Sequence, residues 1–185
     1  MPDYRRWRVA GGTYFFTVVT YRRQKLFESA LARRLLGSVV RQCQSDWPFH
    51  IDAIVLLPDH LHAILTLPVG DDRYSARWSR IKREFTQRWI ERGGSQRVPS
   101  ASQIRERRRG VWQPRFWEHV IRDEEDFERH FDYVHYNPVK HGYTGRPADW
   151  PHSTFHRWVE RGIYPLDWGR SAPPDFTGLD QTAME

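Results

Sequence analysis

The stretch FHIDAIVLLPDHLHAILTL (residues 49–67) holds two runs rich in aliphatic and β-branched residues, separated by Pro58 and Asp59. Proline presets φ for a turn and aspartate suits the position after it, so the stretch predicts a β-hairpin. Side chains alternate along a strand, which puts His60 and His62 on one face and Leu61 and Ala63 on the other. The two histidine Cα atoms are then about 6.6 Å apart. Imidazoles at that spacing can converge on one divalent cation. They also fit a plainer description, two polar residues on a half-exposed strand, and a pattern as short as His-x-His does not choose between the two.

The flanking sequence extends the hairpin into a fold. Upstream, GTYFFTVVTYRR (12–23) is β-branched and aromatic and follows a glycine pair, which predicts a strand. Residues 28–44 set Leu31, Leu35, Val39 and Cys43 four apart, an amphipathic helix. Downstream, Trp78, Ile81, Phe85 and Trp89 share one face of a helix over 74–91, with Arg77, Arg80, Arg83 and Arg88 away from its centre. RFWEHVI (115–121) alternates as a strand, and Asp123 caps a helix that is expected to stop before Asn137 and Pro138. The order is βαββαβ plus one helix. This predicts an α+β, ferredoxin-like core with an antiparallel sheet, an appended tyrosine-bearing helix and a short C-terminal extension.

Length and composition set bounds. At 185 residues with 39% hydrophobic content, one domain over 1–170 is expected, with 171–185 as a disordered tail. The Gly-, Ser- and Arg-rich segment 92–110 has no period and predicts a mobile basic loop. No apolar run is long enough for a membrane span or a signal peptide, so a soluble, cytoplasmic protein is expected. The lone Cys43 excludes an intramolecular disulfide and a multi-cysteine zinc site. Any metal must be held by His, Asp, Glu or Asn.

The net charge of +6 is concentrated, with thirteen Lys or Arg against three acids between Arg73 and Arg115. Arg77, Arg80, Lys82, Arg83, Arg88, Arg107, Arg108, Arg109 and Arg115 are the candidate phosphate contacts. Such an excess attracts polyanions, although charge runs are often no more than solvated faces. Nine tryptophans add rings that can stack on unpaired bases.

The last helix carries the second chemical signal. In DEEDFERHFDYVHYNPVKHGY (123–143), Phe127, Phe131 and Val134 form the core stripe, while Tyr133 and Asn137 stand four apart on an adjacent face. The Asn137 carboxamide oxygen is a candidate third, neutral metal ligand, with Tyr133 one turn earlier.

The triplet in PDHLHAI followed by YVHYNP resembles the HUH single-tyrosine transposases. GVWQPRFWEHVIRDEEDFERHFDYVHYNPVKHGY (110–143) and DWPHSTFHRWVERGIYPLDWG (149–169) look more specifically like the REP-associated tyrosine transposases, and the resemblance runs from Arg8 to Gly169. It implies Tyr133 as nucleophile, Mg²⁺ or Mn²⁺ held by His60, His62 and Asn137, and repetitive extragenic palindromes as partners. These are single-stranded DNA hairpins preceded by a 5′ tetranucleotide. It leaves open a monomer acting in cis or a homodimer exchanging tyrosine helices. Three rivals remain: a palindrome binder with a host role, a non-catalytic single-stranded RNA-binding module, and a metal-dependent nuclease that uses water.

Overall fold

A computed structural model describes residues 7–95, 109–171, 173–177 and 179. Four strands, β1 (Thr13–Val19), β2 (His50–Leu56), β3 (His60–Thr66) and β4 (Trp117–Val120), form one antiparallel sheet in the order β2-β3-β1-β4. That order, with helix α1 (Ala30–Asp46) between β1 and β2 and α2 (Tyr74–Glu91) between β3 and β4, is the ferredoxin-like arrangement. The histidine triplet thus lies on a central strand, where β1 pairs Thr17 with His62 and Val19 with His60.

The sheet separates two cores. Tyr14, Phe16, Val18, Leu61, Ala63 and Leu65 face α1 and α2, whose buried stripes include Leu35, Val39, Trp78, Ile81 and Phe85. Phe15, Ala53, Val55 and Ile64 point the other way, against α3 (Glu124–Lys140) and α4 (Phe155–Glu160). Alternation along β1 and β3 therefore feeds both layers from the same strands. Asp123 caps α3 by accepting a hydrogen bond from the Asp126 N–H at 2.8 Å, and Ser29 caps α1 from Ala32 at 3.4 Å.

One boundary differs from expectation. The third helix does not stop before Pro138 but runs through it to Lys140. Proline forfeits only its own N–H. The last turn is closed by residues after it, His141 N–H to Asn137 O at 3.0 Å and Tyr143 N–H to Pro138 O at 2.9 Å. Gly142, at φ +70°, then ends the helix in the left-handed conformation that glycine adopts without a Cβ penalty. Asn137 consequently sits inside the final turn rather than at its edge.

The C-terminal extension covers an edge. Leu56 N–H donates to His152 O, Thr154 N–H donates to Ile54 O, and Val55 bridges Ser153. β2 slips register between Ile51 and Ala53, and the Asp52 carbonyl freed there accepts from Arg157 Nη2 and Trp158 Nε1. An otherwise open strand edge is thereby closed. Of the segment from Ser171, Phe176 and Leu179 are partly buried against the α3 layer.

Candidate active site

His60 and His62 point from β3 into the α3 layer, and both are buried. Their rings meet edge to face with centroids 4.9 Å apart. Each is oriented through Nδ1. His62 shares a 2.9 Å hydrogen bond with Thr17 Oγ1, and His60 shares one of 2.5 Å with Asp59 Oδ1. Asp59 is tied in turn to Arg23 at 3.2 Å. Burial opposes the Asp59 charge, but the hydrogen bonds from His60 and Arg23 outweigh it and hold the carboxyl below its usual range. Carboxylate and hydroxyl groups behind histidines fix ring orientation and leave Nε2 pointing forward. In the sequence Asp59 is simply a turn residue and Thr17 an unremarked strand position; only the pairing of strands gives them this part.

Tyr133 is fully buried, with its ring 5.3 Å from that of His62 and 6.0 Å from that of Phe15. Lys140, two turns later, donates to the phenol oxygen at 3.3 Å, and its ammonium lies 4.8 Å from the ring centroid. Phe176 covers Tyr133 from the far side at 5.5 Å and also touches Tyr136 at 5.7 Å. Asn137 follows Tyr133 by one turn and is completely buried.

Four polar atoms here are buried without a hydrogen-bond partner: His60 Nε2, His62 Nε2, Asn137 Oδ1 and Asn137 Nδ2. Unsatisfied buried groups each cost about 1–3 kcal/mol, so their concentration needs a cause. Burial, then the charges of His60, His141 and Lys140, pushes the His62 pKa well below the ordinary imidazole value, so its lone pair is free. Two imidazole nitrogens and a carboxamide oxygen make a donor set that fits a divalent cation.

A second cluster brings ligand atoms of His119, Asp126 and His130 within 4.8 Å of one another. Asp126 Oδ2 already accepts from His119 Nε2 at 2.8 Å, from the Arg122 N–H and from Arg122 Nε. The two imidazoles stack 4.5 Å apart at 15°, which aims their in-plane lone pairs in parallel rather than at one point. This is a hydrogen-bond hub pinning β4 to α3. Burial opposes the Asp126 charge, but the hydrogen bonds from His119 and Arg122 outweigh it and bring its pKa down to about 2, while burial brings His130 down to about 4.

The basic residues divide. Arg77 needs correction as a phosphate contact: it is 2% exposed and donates to Asp71, Trp47 O and Pro48 O, so it staples α2 to the loop before β2. An arginine on the flank of an apolar stripe can be drawn into the core when a carboxylate and free carbonyls await it, which helical spacing does not reveal. Arg80 pairs with Asp46 and Glu84, Arg88 reaches Ser38 and Glu84, and Lys82 donates to Gln113 O at 2.5 Å. Arg83, Arg109 and Arg115 are exposed. Lys82, Arg83, Arg109 and Trp112 help line a groove of about 610 Å³ along the outer side of α2. Arg107 and Arg108, with most of the 92–110 segment, lie outside the described residues.

No helix is long and apolar enough to cross a membrane among the described residues. No family model matches the chain. The chain is 44% identical over 169 residues to a REP-associated tyrosine transposase of Escherichia coli K12, covering 91% of both proteins. It is 43% identical to a Haemophilus influenzae protein described as a REP-associated tyrosine transposase, covering 91% of this chain and 94% of that protein. A solved structure of the REP-associated tyrosine transposase bound to a REP hairpin superposes with a TM-score of 0.77. It has 41% identity, with 97% of this chain and 96% of that one covered.

Proposed function

The chain belongs to the family of REP-associated tyrosine transposases, and on that premise we propose that it nicks and rejoins single-stranded DNA at REP hairpins through a 5′-phosphotyrosine link on Tyr133. The observation that carries this reading is that His60, His62 and Asn137 carry buried polar atoms without hydrogen-bond partners while the His60 and His62 rings meet and the His62 ring lies beside that of Tyr133. A hydrolytic site needs no buried phenol there, and a passive binding surface needs no buried ligands without partners.

Strand transfer replaces one phosphodiester with another. The Tyr133 oxygen attacks phosphorus, the bond to the 3′ oxygen breaks, and the 5′ phosphate stays on the tyrosine while the 3′ oxygen leaves and takes up a proton. A phenol leaves more readily than an alkoxide, which keeps the link reversible. Lys140 holds the attacking oxygen through a hydrogen bond from its ammonium. Asp59 and Thr17 hold the two imidazoles in register. His60 Nε2, His62 Nε2 and Asn137 Oδ1 would hold a Mg²⁺ or Mn²⁺ ion, which would supply Lewis-acid polarisation of the scissile phosphate and charge neutralisation at the departing oxygen. Exposed Arg83, Arg109 and Arg115, with Arg107 and Arg108, are the proposed contacts to hairpin phosphates, and a steep fall of affinity with salt is their expected signature.

The test is a covalent adduct. Purified protein incubated with labelled REP hairpins and Mn²⁺ is expected to give a protein–DNA species on a denaturing gel, abolished by EDTA and by Tyr133→Phe. Cleavage without an adduct would establish the water-using nuclease instead, and tight binding with neither would establish a binding module.

A further inference from the structure

Tyr133 and Asn137 share the front of α3, the side whose tyrosine ring meets His62. Asn137 has no hold of its own there, because neither of its side-chain polar atoms has a hydrogen-bond partner among the described residues. The hub of His119, Arg122 and Asp126 pins only the first turns of the helix to β4. Asn137 lies about 16 Å further along the axis. A second anchor has to hold the far half of the helix.

The back of α3 supplies it. Asp132 and His135 lie about 100° and 160° around the helix from Tyr133, and both bond to Tyr164, which follows α4. The Tyr164 hydroxyl donates to Asp132 Oδ1 at 2.5 Å and lies 3.3 Å from His135 Nδ1. His135 Nε2 meets Thr154 Oγ1 at 2.9 Å, and that oxygen accepts from the Ile54 N–H of β2 at 2.9 Å. The order of protons follows. Tyr164 spends its single proton on Asp132, so His135 Nδ1 donates to the phenol oxygen; the uncharged, fully buried ring then accepts at Nε2 from Thr154. Every donor from Ile54 to Asp132 points the same way along the chain of bonds.

The Tyr164 ring is held in place as well. It stacks on Phe131 at 5.6 Å and 14° and on Phe155 at 5.1 Å and 25°, and Trp168 closes on it at 4.4 Å. Apolar packing alone would attach the extension to α3 without the cost of burying a carboxylate and an imidazole. Hydrogen bonds add direction, because they weaken steeply with angle and distance. A chain of them that starts on β2 and ends on Asp132 and His135, either side of Tyr133 in sequence, fixes both the rotation and the height of the helix.

We propose that Tyr164 is a positioning residue for strand transfer: with His135 and Thr154 it holds the back of α3 so that Tyr133 and Asn137 keep their places beside the histidine pair. The inference rests on the transposase reading, which makes Asn137 a metal ligand and Tyr133 the nucleophile.

The experiment uses the full chain and three readouts: Mn²⁺ affinity by electron paramagnetic resonance, the rate of adduct formation at saturating REP hairpin, and hairpin affinity in EDTA. Tyr164→Phe keeps the ring and deletes one hydroxyl. It is expected to weaken Mn²⁺ binding by roughly tenfold, as loss of an outer support of a ligand does, and to slow adduct formation by roughly tenfold, within the range for a displacement under about 1 Å. Hairpin affinity should not change. Thr154→Val should act like Tyr164→Phe, whereas Thr154→Ser, which restores the hydroxyl, should match the parent; urea midpoints establish that each variant is folded when measured. Folded Tyr164→Phe with the parent's Mn²⁺ affinity and rate would overturn the proposal, and so would a comparable loss of hairpin affinity or a Thr154→Ser as impaired as Thr154→Val. If Tyr164→Phe does not fold, Thr154→Val against Thr154→Ser decides by the same criteria. A parent protein that forms no adduct, while Tyr164→Phe still weakens its Mn²⁺ binding, would overturn the transposase reading and uphold the positioning of Asn137.

Discussion

The two faces of the β-sheet are built from the same strands and have opposite characters. Toward α1 and α2 the strands present Tyr14, Phe16, Val18, Leu61, Ala63 and Leu65, a continuous apolar layer. Toward α3 they present Phe15, Thr17, His60, His62 and Ile64, and the facing helix adds buried Asp126, His130, His135 and Asn137. Orphaned atoms on the first face include the indole N–H groups of Trp78 and Trp112; on the second they include imidazole and carboxamide atoms able to bind a cation. One layer contributes most of the favourable burial, and the other holds groups whose desolvation costs stability. A single strand serves both because its side chains alternate, so Leu61 anchors β3 in the first layer while its two neighbours stand in the second.

Substitutions on β3 should separate the layers. His62→Leu is expected to bring adduct formation to background and to abolish Mn²⁺ binding followed by electron paramagnetic resonance. Resistance to urea should hold within about 1 kcal/mol, because an apolar side chain replaces a desolvated polar one. Leu61→Ala should do the reverse. It is expected to cost about 2–5 kcal/mol in urea unfolding while the folded fraction still forms the adduct. If Leu61→Ala abolished transfer in folded protein, or His62→Leu unfolded the chain, the division of labour would fail.

Acid should then loosen the second layer first. Burial holds His130 at a pKa of about 4 and His135 at about 3, whereas the unfolded chain restores them to about 6.5. Below that value the unfolded state binds protons that the folded state refuses, so stability falls as pH drops, by up to roughly 1.4 kcal/mol per pH unit for each histidine until pH nears the folded values. Asp126, at about 2, adds loss of the same sign below about 3.8 as pH falls toward its folded value. Urea midpoints at pH 7 and pH 5 check the slope. Hydrogen exchange at pH 5 should show α3 opening before α1 and α2.

The smallest effect concerns the contact of Phe176 with Tyr133. Because that ring covers a phenol with no exposed surface, ending the chain at Arg170 is expected to raise the initial rate of adduct formation several-fold at constant hairpin affinity. An unchanged rate would mean that the phenol reaches phosphate by another opening.

Much of this molecule is legible in its sequence because local physics agrees with the fold. The period-2 runs around Pro58 and Asp59, the apolar stripes of α1 and α2 and the Asp123 cap set seven elements in ferredoxin-like order. The same alternation puts His60 and His62 on one face, and helical spacing aligns Tyr133 with Asn137. Tertiary structure decided what periodicity cannot carry. Pairing of β1 with β3 gave His62 its partner in Thr17, and the same framework set Asp59 beside His60 and Lys140 against the phenol. It also turned Arg77 from an apparent surface cation into a buried staple, and let α3 run through Pro138. A sequence period reports which face a side chain leaves from, whereas the identity of the group waiting there depends on strands and helices brought together from distant parts of the chain.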